Sequence, residues 1–128
     1  MAFYGDLLQT TFVEALGGEA ASFGVRVSIN FEAGVELVAP IDGRESGVRS
    51  TLEERGEGIM GVVFAVPDAD ASRDAAKAHG IDTTYSLDYD ADTIADRYGV
   101  GSFTRFYEHF LEAKPPLSGT TLIGQFEH

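Results

Sequence analysis

Residues 25 to 31 alternate without a break: Val25, Val27, Ile29 and Phe31 are apolar, and Arg26, Ser28 and Asn30 between them are polar. Successive side chains of a strand point to opposite faces, so a period of two specifies a half-buried strand. Glu32-Ala33-Gly34 then supplies a turn with a glycine able to take positive φ, and VELVAP (35–40) returns as a second strand ending at a proline. Together they predict an antiparallel hairpin.

The other elements follow from the same kind of signal. Upstream, Phe3, Leu7, Leu8, Val13 and Leu16 recur at roughly helical spacing before Gly17-Gly18, which predicts a helix from Ala2 to about Leu16. Ser46 is placed to cap a short helix carrying Val48 and Leu52 and ended by Gly56. GIMGVVFAV (58–66) reads as a nearly continuous, valine-rich apolar strand. Pro67-Asp68 opens a helix filled by Ala71, Ala75, Ala76 and Ala78 and stopped by Gly80. Ile81, Thr83, Tyr85 and Leu87 alternate as another strand, and residues 90–98 form a helical turn or a loop ended by Gly99. In FTRFYEHFLEA (103–113) the spacing of Phe103, Phe106, Tyr107 and Phe110 fits a helix, whereas the aromatic density fits a strand, which is preferred. Pro115-Pro116 ends it and TTLIGQF (120–126) closes the chain as a last strand.

Element order therefore describes two related units inside one domain of 128 residues: 1–45, a connector helix and turn at 46–58, and 59–128. The first unit lacks the leading strand that the second has. Charge narrows the partners. Twenty-one acidic against nine basic residues leave a net charge of -12, which repels a phosphate backbone and excludes nucleic acid. That acidity serves solubility; the alternative is an acidic pocket for a cationic ligand. With no cysteine, disulfides and thiolate chemistry are excluded, and any metal would rest on His, carboxylate, amide or water. No apolar run approaches the roughly 20 residues that span a bilayer, and MAFYGDLL lacks the blocks of a secretion signal, so no membrane partner is expected and the cytoplasm is the default.

Ala2-Phe3-Tyr4 with Asp6-Leu7-Leu8, VELVAP, and GVVFAVPD (61–68) resemble the first helix, the fourth strand and the opening of the second unit in the vicinal oxygen chelate superfamily. That superfamily includes glyoxalase I, methylmalonyl-CoA epimerase, extradiol dioxygenases and bleomycin resistance proteins. SGVRSTLEERGEGIMGVVFAV (46–66) is most similar to the connecting helix, Gly-Glu-Gly turn and strand of the epimerases. The resemblance implies an α+β fold in which paired βαβββ units form a curved mixed sheet around a cavity, and a homodimer. It also implies, for the family, a divalent ion on two His and two Glu, which stabilises charge developing on oxygen.

Those ligands are largely missing here. The resemblance gives the first-strand His no counterpart and matches Glu36 to the fourth-strand glutamate. It sets Gly61 at the second unit's ligand His with Met60 beside it, and Gly124 or Gln125 at the last glutamate, according to a one-residue register choice. One ligand of this kind cannot hold a divalent ion tightly, so no cofactor is expected. A divalent metal (Ni, Co, Zn, Fe or Mn) belongs only to the alternative of a metal-dependent isomerase, lyase or epimerase.

Each candidate has a plainer reading beside the functional one. Glu36 shares a strand face with Val38, as a pocket carboxylate serving as base or anchor, or as a solvent-facing strand residue. Gln125, Tyr85, Phe106 and Met60 are lining candidates, although aromatics serve the core first. His109 is the one histidine expected to enter a pocket; His79 sits at a helix C-terminus, where the dipole suits an imidazole, and His128 is terminal. Gly56-Glu57-Gly58 lacks the spacing and lysine of a phosphate loop, and no serine lies in a nucleophile-elbow context, so hydrolase chemistry finds no support. The sequence thus predicts a protein for a small, largely apolar molecule with Glu36 as the catalytic candidate, Gln125, Tyr85, Phe106, His109 and Met60 as ligand-binding residues, and no metal residue. The alternatives are the metal-dependent enzyme above and an antibiotic-sequestering protein.

Overall fold

The computed structural model describes residues 2–128. Its α+β chain divides into two compact units, one reaching to Gly58 and taking in Asp96–Gly99, the other formed by Ile59–Ala95 and Val100–His128.

The first unit contains helix α1 (Ala2–Leu8), β1 (Val13–Glu14), α2 (Gly18–Ser22), β2 (Val25–Asn30), β3 (Val35–Pro40) and α3 (Gly47–Arg55). The predicted hairpin is present: β2 and β3 pair antiparallel with Val27 opposite Val38 and Ile29 opposite Glu36. Ser46 caps α3 by accepting from the Arg49 N–H at 3.0 Å, and the Gly56 N–H closes the helix on the Leu52 carbonyl. The predicted helix to Leu16 is corrected. It stops at Leu8, where Gln9 adopts φ 51°, and the β-branched run Thr10-Thr11 leads into Val13 and Glu14, which pair with Ile29 and Ser28. Pairing with β2 here outweighs the weak helical spacing. Gly17 and Gly18, expected to end that helix, instead turn the chain into α2 with φ of 65° and 70°.

The second unit contains β4 (Gly61–Ala65), α4 (Ala69–Ala78), β5 (Thr83–Asp90), α5 (Ala91–Tyr98), whose last turn belongs to the first unit, β6 (Arg105–Leu111) and β7 (Thr120–Glu127). Its sheet runs β4-β7-β6-β5, parallel between β4 and β7 and antiparallel elsewhere, so it is mixed as expected. Residues 105–111 form a strand, and residues 91–98 a full helix entered through Asp90, whose side chain accepts from the Thr93 N–H. Asp68 caps α4 through the Ala71 N–H, which leaves Pro67 just outside the helix, not in its first turn. The core gathers Ala69, Ile81, Tyr89, Ile94, Phe106, Leu122 and Ile123.

β4 departs from its sequence pattern. A continuous apolar run is the mark of a strand covered on both faces. All five residues of β4 are nevertheless exposed, and it is an edge strand with β7 as its sole strand neighbour among the described residues. Ile94, by contrast, is fully buried. Ile94→Ala is expected to lower the unfolding free energy by about 2–5 kcal/mol, the range for a large aliphatic side chain removed from a packed site. Denaturant unfolding checks this; a loss under about 1 kcal/mol would mean the site is loosely packed.

Candidate functional site

β3 positions Glu36. The pairing register sets its side chain on the same face as Val38, Ile29 and Val27, the apolar side of the hairpin. Among the described residues no hydrogen bond or ion pair engages its carboxylate. Much of the residue's surface remains open, yet desolvation around the carboxyl raises its pKa above the ordinary value. An unpaired carboxylate of this kind is a proton acceptor whose charged form is disfavoured, the property expected of a general base or an anchor for a hydrogen-bond donor.

In the second unit strand alternation separates two faces. Tyr85, Leu87 and Tyr89 on β5, Phe106, Glu108 and Phe110 on β6, and Leu122, Gly124 and Phe126 on β7 share the face turned away from α4. Ring pairs bind it together: Tyr85 with Phe110 at 5.6 Å and Phe106 with both Phe103 at 4.9 Å and Phe126 at 5.4 Å, all edge-on. The structure thus brings together Tyr85 and Phe106 of the sequence candidates. Gly124, not Gln125, stands on this face. A Cβ at Gly124 would lie 2.6 Å from the Phe126 ring and 3.3 Å from the Glu108 Cγ, so the space a side chain would need is already taken.

Gln125 and His109 lie on the opposite face, under α4. The Gln125 carbonyl oxygen accepts from the Ala69 N–H at 3.0 Å, satisfying a donor in the first turn of the helix, and its amide donates to Glu127 at 2.6 Å. His109 is only 2% exposed. Its Nδ1 lies 2.6 Å from the Ser86 Oγ, and its Nε2 3.1 Å from the Asp70 Oδ1. Tyr107, two residues before His109 on the same face, donates to the same Asp70 oxygen at 2.6 Å, and Arg73 pairs with it at 2.7 Å. The Tyr107 hydrogen bond is the main influence lowering the Asp70 pKa, and the carboxylate in turn raises that of Tyr107. Asp70, Ser86 and Tyr107 were not among the sequence candidates. Parity along β6 would have linked Tyr107 to His109, but nothing local announces that Asp70 and Ser86 meet them.

The divalent site implied by the family resemblance does not fit these residues. Gly61, matched to a ligand histidine, runs so close to β7 that a Cβ there would overlap the Thr120 carbonyl oxygen and sit 2.7 Å from the Thr120 Cβ. Met60 lies just before β4 and is half-buried. Among the described residues no group of three or more His, Asp or Glu is arranged to hold a metal.

No protein-family model matches the chain, and no curated protein matches it significantly. Solved structures do. Methylmalonyl-CoA epimerase from Mycobacterium tuberculosis is 21% identical with a TM-score of 0.68, over 97% of this chain and 76% of that one. A hypothetical protein from Bacillus halodurans C-125 is 18% identical with a TM-score of 0.69, over 98% of this chain and 83% of that one. A variant of Streptomyces coelicolor methylmalonyl-CoA epimerase in complex with 2-nitronate-propionyl-CoA is 22% identical with a TM-score of 0.66, over 97% and 84%. The chain therefore has the fold of the vicinal oxygen chelate superfamily, to which the methylmalonyl-CoA epimerases belong.

The shift at Glu36 has a definite sign. A carboxyl whose pKa is raised in the folded state leaves stability intact below its ordinary value of 4.5 and loses it as pH climbs through the raised value. Glu36→Gln is therefore expected to raise the melting temperature near neutral pH and to leave it unchanged well below the ordinary carboxylate pKa. Scanning calorimetry across that range checks the prediction; a lower melting temperature for the variant at neutral pH would mean that the carboxylate is stabilised by a partner.

Proposed function

We propose that this chain binds a small, largely apolar molecule without a metal ion, with Glu36 as the charge that orients the ligand or accepts its proton. The observation that carries this reading is a carboxylate set on the apolar side of the β2–β3 hairpin that no hydrogen bond or ion pair among the described residues engages. The apolar side of the β2–β3 hairpin, which Glu36 shares with Val27, Ile29 and Val38, supports the apolar character of the ligand, and the crowding of Gly61 against Thr120 supports the absence of a metal. Gln125, His109, Tyr85, Phe106 and Met60 remain its proposed ligand-binding residues. For Gln125 and His109 the role is indirect, through the helix that they hold.

A second reading has a specific support. Among structures of the same fold is a methylmalonyl-CoA epimerase in complex with methylmalonyl-CoA and an ammonium ion, so CoA-linked acids are a reasonable ligand class, and an isomerase or epimerase of the metal-dependent kind is the alternative. Antibiotic sequestration, favoured by the acidity, is a third. A homodimer is proposed as well, because β4 exposes Val62, Val63 and Phe64 along an open strand edge, and such edges associate. No helix is long and apolar enough to cross a membrane, and a cytoplasmic setting with no nucleic-acid partner is proposed from composition.

Titration calorimetry with propionyl-CoA and methylmalonyl-CoA, in chelator and then with added cobalt, separates these readings. Binding of equal strength with and without metal, weakened several-fold in Glu36→Gln, would support a metal-free site that takes CoA-linked acids. Deuterium incorporation into methylmalonyl-CoA that appears only with cobalt would favour the epimerase. Binding of neither compound, with stabilisation by a cationic antibiotic, would favour sequestration.

A further inference from the structure

Asp70, His109 and Ser86 form a line of hydrogen bonds. An ionised carboxylate can only accept, so the 3.1 Å contact from Asp70 puts the imidazole proton on Nε2. In the neutral imidazole Nδ1 then carries a lone pair, and the Ser86 hydroxyl, 2.6 Å away, donates to it. A serine held by a neutral imidazole that is itself oriented by a carboxylate is the arrangement that activates a hydroxyl, here with the two ring nitrogens in exchanged roles. The imidazole is sealed from water, whereas Ser86 is exposed on β5, the outer strand of its sheet. That outer edge has no strand partner among the described residues. Thr84, two residues before Ser86, lines an open groove of about 360 Å³ with Phe110, Leu111, Thr120 and Thr121, space for a small acyl or aryl group.

We infer that Ser86 is an acyl-accepting nucleophile, with His109 as its general base, for small activated esters such as acyl esters of phenols. Oγ attacks the ester carbonyl, the Oγ–C bond forms, and the hydroxyl proton passes to Nδ1 of His109. Collapse of the tetrahedral intermediate breaks the bond to the phenolic oxygen, and the phenolate leaves, taking up that proton. The step ends at acyl-Ser86, because the imidazole, 2% exposed, offers water no path to Nδ1. A good leaving group suits this site because no built oxyanion hole is needed for an activated ester to react. Ser86 and His109 are the catalytic pair; Asp70 and Tyr107 are positioning residues. The reaction uses the face under α4 and is independent of Glu36.

The test is acylation by p-nitrophenyl acetate, followed by peptide mapping in acid-quenched samples between roughly pH 5 and 9. An acetyl group on Ser86 is expected. Ser86→Ala should lose the adduct, and Asp70→Asn should slow acylation on the order of 100-fold, the usual share of a correctly oriented base. Both side chains are exposed, and a thermal unfolding midpoint near that of the wild type shows that each variant is folded. Acetylation confined to lysines, or Ser86 acetylation at the same rate in Asp70→Asn, would overturn the inference.

Discussion

Strand β7 is the constraint on which the second unit rests. It is the only strand of that sheet with one parallel and one antiparallel neighbour, β4 and β6, and residues 121–124 are buried without interruption. Its register decides what each face can do. Thr121, Ile123 and Gln125 turn toward α4, Gln125 satisfying the helix N-terminus, while Leu122, Gly124 and Phe126 turn to the aromatic side. A slip of one residue would exchange the two sets.

The same register accounts for the shortage of metal donors. Close approach of β4 to Thr120 admits nothing larger than glycine at position 61, and Glu108 and Phe126 occupy the space beside Gly124. Two positions where the resemblance would set ligands are thus closed by backbone and packing. Glu36, in the first unit, keeps a carboxylate that its surroundings desolvate and that no described side chain neutralises. Polar chemistry in the second unit lies instead beneath α4, where a buried imidazole joins strand to helix.

Much of the fold was legible because strand period and helix caps are local signals. Val25–Asn30 and Val35–Pro40 follow from alternation, and α3 and α4 from Ser46 and Asp68. The failures came where a longer-range contact decides. Helical spacing before Leu16 gave way to pairing between Val13 and Ile29, and the apolar run of β4 says nothing about its place at a sheet edge. The site was legible in part. The resemblance singled out Glu36 and left Gly124 and Gln125 as alternatives; only the pairing of Gly124 with Glu108 decides which face each takes. The Asp70, Ser86 and His109 contacts join residues far apart in sequence, through a helix resting on two strands, and no motif announces them.

The account stands on a sheet that carries glycines, crowded by their neighbours, where the resemblance would set metal ligands. Its most direct test is elemental analysis of the purified protein after equilibration with Ni, Co, Zn, Fe and Mn and removal of unbound ions. The account predicts far less than one metal ion per chain for every element. One equivalent of any of them, lost on Glu36→Gln, would contradict it.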